Sequence, residues 1–269
     1  MKLAVVSDIH GNLLALQAVV EDIRSEGVDH VLNLGDILSG PLQPAQTADY
    51  LMARDWITIA GNHERQLLQA WDAGPENADP STSDGYAATQ IETRHAHWLR
   101  SLPPTVWLGE DVLLVHGTPV SDAHYWLEEV MPDFGQHGSY GIRAATGNEV
   151  RNRLRSGGPD TARAKLALCG HSHVPRVVVS GTTLIVNPGS VGVQAYFDGA
   201  PHYHQVETGS PHARYAIIEQ RAGAWQARLI AVAYDWAAAS VMAASRGRRE
   251  WAYALTTGRN PAWASAMRT

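Results

Sequence analysis

Asp8 and His10 follow the short apolar run of residues 3–6 and stand on a tight turn. The run predicts a buried strand, and helical apolar spacing begins at Leu13. A carboxylate and an imidazole two residues apart can face one point beyond the strand end, where open α/β sheets bind ligands. The same residue types also suit an Asx turn that caps the next helix. From Asp8 and His10 alone, a metal site and a helix cap are therefore both compatible with the sequence.

Four further segments carry the same kind of polar group. Each contains a glycine beside Asp, Asn or His and comes directly after a strand-like apolar run. In chain order they are Gly35-Asp36, Gly61-Asn62-His63-Glu64, His116-Gly117 and Gly170-His171-Ser172-His173. A strand, helix, strand unit sets consecutive parallel strand ends side by side, so we expect such side chains to meet.

The collected side chains mix oxygen and imidazole ligands and include no thiolate. Such a set suits Mn, Fe, Zn, Co or Ni and is a poor match for Mg or Ca. It is too large for one tetrahedral ion. Two ions roughly 3.5–4 Å apart that share a bridging carboxylate would occupy the whole ligand set. Such a pair can stabilise both the attacking and the leaving oxygen of an in-line displacement at phosphorus. The members are Asp8, His10, Asp36, Asn62, His63, His116, His171 and His173.

The elements that must position these residues follow an α/β order. Strands are predicted at 3–6, 30–34, 56–59, 112–115, 166–169, 176–179, 183–186, 215–218 and 227–233. Helices are predicted at about 13–23, 44–54, 86–102, 148–155 and 235–255. The polar stretches 71–86 and 199–211 predict surface loops, and loop or helix histidines such as His95, His97, His202 and His204 are expected to be exposed.

Residues 120–159 mix aromatic residues, acids and glycines, and we interpret them as a cap inserted into a single domain of residues 1–269. Tyr125 follows the His116 turn by a few residues, so its ring is a candidate contact for the organic group of a substrate. The neighbouring Trp126 fits core packing at least as well.

Composition narrows the class of protein. With 45% hydrophobic and 18% charged residues, the chain fits a globular protein. A formal charge of −6 argues against binding a nucleic-acid duplex. We find neither a signal peptide nor a membrane-spanning run, which predicts a cytoplasmic protein with no membrane partner. The single cysteine, Cys169, excludes an internal disulfide and a multi-cysteine zinc site.

The ordered motifs resemble the signature of the calcineurin-like metallophosphoesterases. The resemblance is strongest to the small bacterial YfcE-like branch, which shares Asn187-Pro188-Gly189-Ser190-Val191-Gly192 and the His116-Gly117-Thr118-Pro119 turn. It covers residues 1–193 and, less closely, the C-terminal elements. It implies a four-layer α/β fold in which two mixed β-sheets pack as a sandwich flanked by helices.

The resemblance also implies roles for the site residues. One metal would be held by Asp8, His10 and His173, the other by Asn62, His116 and His171, with Asp36 bridging both. His63 would be the general acid for the leaving oxygen, a task that suits the pKa of imidazole. Asn62 and His63 would thus also face the substrate, although Asn62 equally suits a helix cap. Two divalent transition-metal ions are implied, with Mn²⁺ expected and Fe, Zn, Ni or Co as alternatives.

The expected function is a dinuclear metal-dependent phosphoesterase, in which a metal-bridging hydroxide attacks a small phosphodiester, phosphomonoester or nucleotide in line. Two alternatives remain open: a diadenosine-polyphosphate hydrolase, and a non-catalytic protein-binding scaffold of the same fold. The protein is expected to be a monomer or homodimer. A serine hydrolase is rejected because proline stands two residues before Ser190, where a nucleophile elbow has glycine.

Overall fold

The computed structural model describes residues 1–74 and 76–262. In chain order the strands are β1 (Lys2–Val6), β2 (His30–Asn33), β3 (Ile57–Thr58), β4 (Thr105–Leu108), β5 (Val112–Val115), β6 (Glu128–Val130), β7 (Ile142–Ala144), β8 (Leu166–Leu168), β9 (Arg176–Ser180), β10 (Thr183–Asn187), β11 (Ala195–Asp198), β12 (His204–Glu207), β13 (Ala213–Arg221) and β14 (Ala224–Val232). The α-helices are α1 (Leu13–Glu26), α2 (Pro44–Met52), α3 (Asn62–Asp72), α4 (Ser83–Gln90), α5 (Thr93–Ser101), α6 (Gly147–Ser156), α7 (Pro159–Ala162), α8 (Trp236–Ser245) and α9 (Arg249–Thr257).

Ten of these strands build two mixed sheets. The first has the order β14-β13-β1-β2-β3, and the second has the order β4-β5-β8-β10-β9. The pairs β1–β2 and β2–β3 are parallel, as are β5–β8 and β8–β10. The remaining pairs within the two sheets are antiparallel. Two hairpins, β6–β7 and β11–β12, stand outside the main sheets.

Alternate residues of β1 point to opposite faces of the sheet, and both faces are buried. Leu3 and Val5 pack between the two sheets with Leu114 of β5. Ala4 and Val6 face the other way and pack against the helical layer that includes α1. The outer face of the second sheet is covered in the same manner by α6, through Val150 and Leu154. The order of layers is helix, sheet, sheet, helix, which confirms the predicted fold.

The strand pairing brings the polar segments together. In the first sheet, Val6 pairs with Asn33 in parallel register, and the Asp8 N–H donates to the Gly35 carbonyl at 3.0 Å. In the second sheet, β5 and β8 are parallel neighbours, and the Gly170 N–H donates to the His116 carbonyl at 2.7 Å. Between the sheets, the His171 N–H donates to the Asp8 Oδ1 at 3.2 Å, so the carboxyl ends of the parallel strands of both sheets meet at one edge of the sandwich.

Two predicted loops were wrong in part. The first, 71–86, contains the start of α4 at Ser83, while Pro75 lies outside the described residues. The second, 199–211, contains β12, which pairs with β11 to form a hairpin. Pairing between distant segments stabilises such short elements, and local sequence does not reveal it. Of the helices in residues 1–74 and 76–262, none is long and apolar enough to cross a membrane.

Candidate metal centre

One cluster of ligand-type side chains unites the first and last polar segments. One ligand atom from each of Asp8, His10 and His173 lies within 4.8 Å of the others. The His173 Nε2 is 3.3 Å from the Asp8 Oδ1 and 3.1 Å from the His10 Nε2. All three side chains are buried. A carboxylate oxygen and two imidazole nitrogens thus converge on one point.

A second cluster adjoins the first. It consists of Asp36, His116 and His171, whose ligand atoms also lie within 4.8 Å of one another. The His116 Nε2 is 3.0 Å from the Asp36 Oδ2 and 4.0 Å from the Asp8 Oδ1. The His116 Nε2 therefore lies near the carboxylates of both clusters. The two groups have the membership that the family resemblance implied for the two metals, apart from Asn62.

Backbone carbonyls fix the orientation of three of the imidazole rings. The Nδ1 of His10 donates to the Ser39 carbonyl at 2.7 Å, and the Nδ1 of His116 donates to the Leu34 carbonyl at 2.7 Å. The Nδ1 of His173 donates to the Val193 carbonyl at 2.9 Å in the same way. With its Nδ1 proton held in this way, each ring directs its Nε2 toward the cluster and would bind a metal there through the neutral form. This arrangement is typical of metal-binding histidines.

The side chain of Asn62 indicates that a cation fits beside the two clusters. The N-cap of α3 is Gly61, so Asn62 is not the capping residue that its sequence position also allowed. Its Oδ1 is buried and has no hydrogen-bond partner within the described residues. An unsatisfied buried oxygen costs about 1–3 kcal/mol, and a bound cation would satisfy it. Together with the His and Asp groups, the orphaned oxygen fits a divalent metal site.

The backbone is strained where the ligands stand. Seven non-glycine residues in the described chain have a positive φ, and five of them are members of the two clusters: Asp8, His10, Asp36, His171 and His173. Asp and His adopt this left-handed conformation more readily than most residues, but it still has a cost. Strain that the surrounding structure maintains is typical of functional sites.

Two glycines make room for the carboxylates. A Cβ on Gly61 would collide with the Asp36 Oδ1, and a Cβ on Gly170 would collide with the Ser7 Oγ and lie 2.8 Å from the Asp8 Oδ2. Neither position has room for a side chain. The glycine in each of these two motifs is therefore required by close packing against a carboxylate.

Glu64 ties two of the polar segments together. Its carboxylate accepts hydrogen bonds from the backbone N–H groups of Asp36, Ile37 and Gly61 at 2.7–2.8 Å. Burial and the charge of Asp36 raise the pKa of Glu64 to about 7, against the effect of these donors. Glu64 thus holds the Asp36 turn against the start of α3, where acids are favoured.

The turn that begins at Asn187 supports the last ligand segment. The Asn187 Nδ2 donates to the Gly170 carbonyl at 2.7 Å and to the Ser172 Oγ at 3.1 Å. The Ser190 hydroxyl donates to the Asp8 carbonyl at 2.8 Å. Ser190 is therefore buried in a structural role, which agrees with the rejection of a serine hydrolase.

His63 lies beside the clusters and has a carboxylate partner of its own. Its backbone N–H donates to the Asp36 Oδ1 at 2.9 Å, while its ring Nδ1 donates to the Asp84 Oδ1 at 3.0 Å. Burial alone would lower the pKa of His63, but the charges of Asp36 and Asp84 raise it to about 9. The ring is protonated near neutral pH. Sequence reasoning missed Asp84, because it lies in a predicted loop at no characteristic spacing from His63.

The imidazole rings of His10, His171 and His116 differ in their charge. Burial and neighbouring histidines lower the pKa of His10 and His171 to about 4, so both rings are neutral, the form that binds a metal. Burial alone would also lower the pKa of His116, but the nearby Asp36 raises it to about 10. Metal binding at His116 must therefore release a proton.

Tyr125 belongs to a hydrogen-bonded chain beside the second cluster. Its hydroxyl is 2.6 Å from the Tyr196 hydroxyl and 2.8 Å from the His204 Nε2. The Tyr196 hydroxyl donates to the His171 carbonyl at 3.3 Å. His204 is fully buried, so the expectation that it is exposed was wrong, and His95 is buried as well. Trp126, by contrast, packs in the core, the alternative that its sequence also allowed.

Tyr125→Ala is expected to raise the Michaelis constant of a phosphate ester with an aromatic organic group, because the ring lines a cavity that members of both clusters also line. Tyr125→Phe is the matched control, since it keeps the ring and removes only the hydroxyl. Steady-state kinetics and thermal melting of both variants check the prediction. A lower melting temperature with an unchanged Michaelis constant in Tyr125→Ala would show that the ring only packs.

A cavity of about 770 Å³ opens over both clusters. Its lining includes His63, Asp84 and Tyr125, and it extends to Arg248 and Trp251 of the C-terminal segment. Small-molecule sites commonly have volumes of roughly 300–1,000 Å³. The cavity is therefore large enough for an organic group in addition to a phosphate.

Comparison with known proteins agrees with this architecture. A sequence model of the calcineurin-like phosphoesterase superfamily domain matches residues 1–210. The uncharacterized protein MJ0912 of Methanocaldococcus jannaschii is 25% identical over 244 residues, which cover 87% of this chain and 88% of that protein. The crystal structure of a metallophosphoesterase from Sphaerobacter thermophilus, 23% identical, has a TM-score of 0.71 and covers 96% of this chain and 99% of its own. Hypothetical protein PH1004 of Pyrococcus horikoshii, 18% identical, has a TM-score of 0.69 with coverages of 97% and 99%.

Proposed function

The chain belongs to the calcineurin-like phosphoesterase superfamily, and from that premise we propose that it is a dinuclear metal-dependent phosphoesterase for small phosphodiesters, phosphomonoesters or nucleotides. The observation that carries the proposal is the pair of adjoining ligand clusters, with the Asp36 and Asp8 carboxylates both near the His116 Nε2, beside a cavity lined by members of both clusters and by His63. The family and the ligand set support a phosphoester hydrolase with a divalent metal. The dinuclear state and Mn²⁺ are parts of the proposal.

The chain's own residues account for the rest of the chemistry. When bound, two divalent cations would supply Lewis acidity, which activates water and neutralises phosphate charge. Asp36 would hold the two cation sites together. His63 is held by Asp84 through Nδ1, so its Nε2 remains to give a proton to the leaving oxygen. The hydrogen bond to Asp84 holds the ring in position for this transfer and stabilises its protonated form.

The non-catalytic alternative receives less support. Asp8, His10, Asp36, His116, His171 and His173 fall into the two clusters, and Asn62 lines the same cavity. Members of the family that serve as scaffolds are expected to have lost ligands. The diadenosine-polyphosphate hydrolase remains an alternative within the same chemistry. Kinetics of the Mn-loaded protein with phosphodiesters, phosphomonoesters and dinucleoside polyphosphates would decide between these substrates.

Two metal equivalents per chain are expected, because the ligand set is too large for one ion. Elemental analysis of protein purified without chelator and reloaded with Mn²⁺ checks this number. His97→Gln is a suitable control, since His97 is exposed on α5 and its loss should leave the stoichiometry unchanged. A firm plateau at one equivalent would contradict the dinuclear centre.

A further inference from the structure

A segment beyond the matched family domain forms one wall of the cavity. The family match ends at residue 210, and α8 and α9 come later in the chain. Trp251 of α9 packs against Val193 and Ala195 near β11, and Arg248, immediately before α9, lines the cavity. The C-terminal segment that builds this wall therefore lies outside the residues that the family model matches.

The Arg248 guanidinium has hydrogen-bonding capacity that the protein does not use. Its Nε donates to the Glu250 Oε1 at 2.7 Å, and its Nη2 has only a long contact of 3.5 Å with the Ser83 Oγ. Its Nη1 is buried and has no hydrogen-bond partner within residues 1–74 and 76–262. An unpaired buried donor next to a cavity requires an explanation, and a bound anion supplies one. The planar fork of arginine is well matched to phosphate.

The contacts of Arg248 place it at the leaving-group end of the cavity. Ser83, which its Nη2 approaches, precedes Asp84, and the Asp84 carboxylate accepts the hydrogen bond from His63 at 3.0 Å. His63 is the group that protonates the leaving oxygen in the proposed function. Arg248 is therefore linked to the general acid through two adjacent residues of the chain.

An anion in the cavity would find its cationic partner at Arg248. Among the described residues of the lining, Arg248 is the one arginine or lysine. The carboxylates there each have a partner, namely Asp36 in its ligand cluster, Asp84 with His63, Glu250 with Arg248 and Asp198 with the Ala200 N–H. Glu250 uses one edge of the guanidinium and fixes its orientation, while the long Ser83 contact is the one hydrogen bond found for the two Nη groups among the described residues.

We propose that Arg248 binds a second phosphate group, carried by the leaving group of the substrate. The proposal rests on the proposed function, because His63 defines the leaving-group end. In the reaction, water adds across the scissile P–O bond: its hydroxyl goes to phosphorus, the leaving oxygen takes a proton from His63, and the remaining proton of the water restores the protonated His63. The second phosphate stays on the leaving group. The preferred substrates are thus esters or anhydrides that carry two phosphates.

The test compares Arg248→Gln with the wild type on three substrates. Nitrophenyl phosphate has no second phosphate, ADP has it bonded directly to the leaving oxygen, and adenosine 3′,5′-bisphosphate has it across the ribose. The better substrate of the wild type, ADP or adenosine 3′,5′-bisphosphate, is the one to compare with nitrophenyl phosphate. In Arg248→Gln, the loss of kcat/KM on that substrate should be about 10- to 100-fold greater than the loss on nitrophenyl phosphate, the range for a charge-assisted hydrogen bond. Arg248→Lys should recover part of the loss. Arg249→Gln is the matched control, because Arg249 is exposed and does not line the cavity.

A binding measurement separates this proposal from the proposed function. Calorimetric titration with α,β-methylene-ADP, which is not hydrolysed between its phosphates, should show binding at least tenfold weaker in Arg248→Gln than in Arg249→Gln. If the wild type hydrolysed no ester but this difference appeared, the phosphoesterase would be wrong and the anion site would stand. Unchanged affinity, or equal losses of kcat/KM on all three substrates, would overturn the role of Arg248.

Discussion

Asp36→Asn is expected to lower turnover by roughly 10³-fold and to weaken the binding of one metal equivalent in the same protein. Asp36 is buried, its Oδ2 lies 3.0 Å from the His116 Nε2, and its Oδ1 accepts the His63 N–H. Burial alone would raise the pKa of Asp36, but His116 and His63 hold it well below its usual range, so it is ionised. The amide keeps the volume of the side chain and removes the charge that holds two cations close together.

The measurements are turnover of a nitrophenyl ester and metal binding by calorimetric titration, with His10→Ala for comparison. His10 belongs to the first cluster alone, so its loss should affect one metal and leave Asp36 in place. Activity and metal affinity should both fall further in Asp36→Asn than in His10→Ala. The reverse order in both quantities would show that Asp36 does not bridge the two sites.

His63→Ala is expected to slow turnover by roughly 10²–10⁴-fold while the metal content stays intact, the usual contribution of a general acid. The loss should depend on the leaving group. Nitrophenolate leaves readily without a proton, whereas an alkoxide does not. The variant should therefore lose less activity on a nitrophenyl ester than on an alkyl or nucleoside ester of the same phosphate. Turnover of both ester types, with metal analysis of the same samples, checks the prediction.

Asp84→Asn is the matched variant for the His63 experiment. It leaves the imidazole in place and removes one of the carboxylates, chiefly Asp36 and Asp84, that raise its pKa. The loss should show the same dependence on the leaving group as in His63→Ala, but it should be smaller. Equal losses on both esters in His63→Ala, or the loss of one metal, would show that His63 binds a metal or positions the substrate. The proton would then come from another group.

The sequence by itself determined the fold class and the six residues that the structure brings together in two clusters, whereas their division between two metals was implied by the family resemblance. Metal chemistry demands particular residue types, and the tight turns that present them demand glycine at nearby positions, so motifs such as Asp8-x-His10 and His171-x-His173 are local signals. The apolar runs before them are equally local, because a strand buried on both faces reads as a continuous hydrophobic segment. The βαβ order then indicated that the strand ends would be neighbours.

Tertiary structure alone decided which side chains surround the clusters. His63 and Asp84 are 21 residues apart, Tyr125 and His204 are 79 apart, and Ser83 and Arg248 are 165 apart. Asp84, His204 and Arg248 are common residue types in segments without a characteristic pattern, so nothing local marks their partners. Their contacts depend on the packing of α4, the β11–β12 hairpin and the C-terminal helices around the sheet ends. Long-range packing of this kind sets the burial, the hydrogen bonds and the charge of each side chain, and it has no counterpart in local sequence.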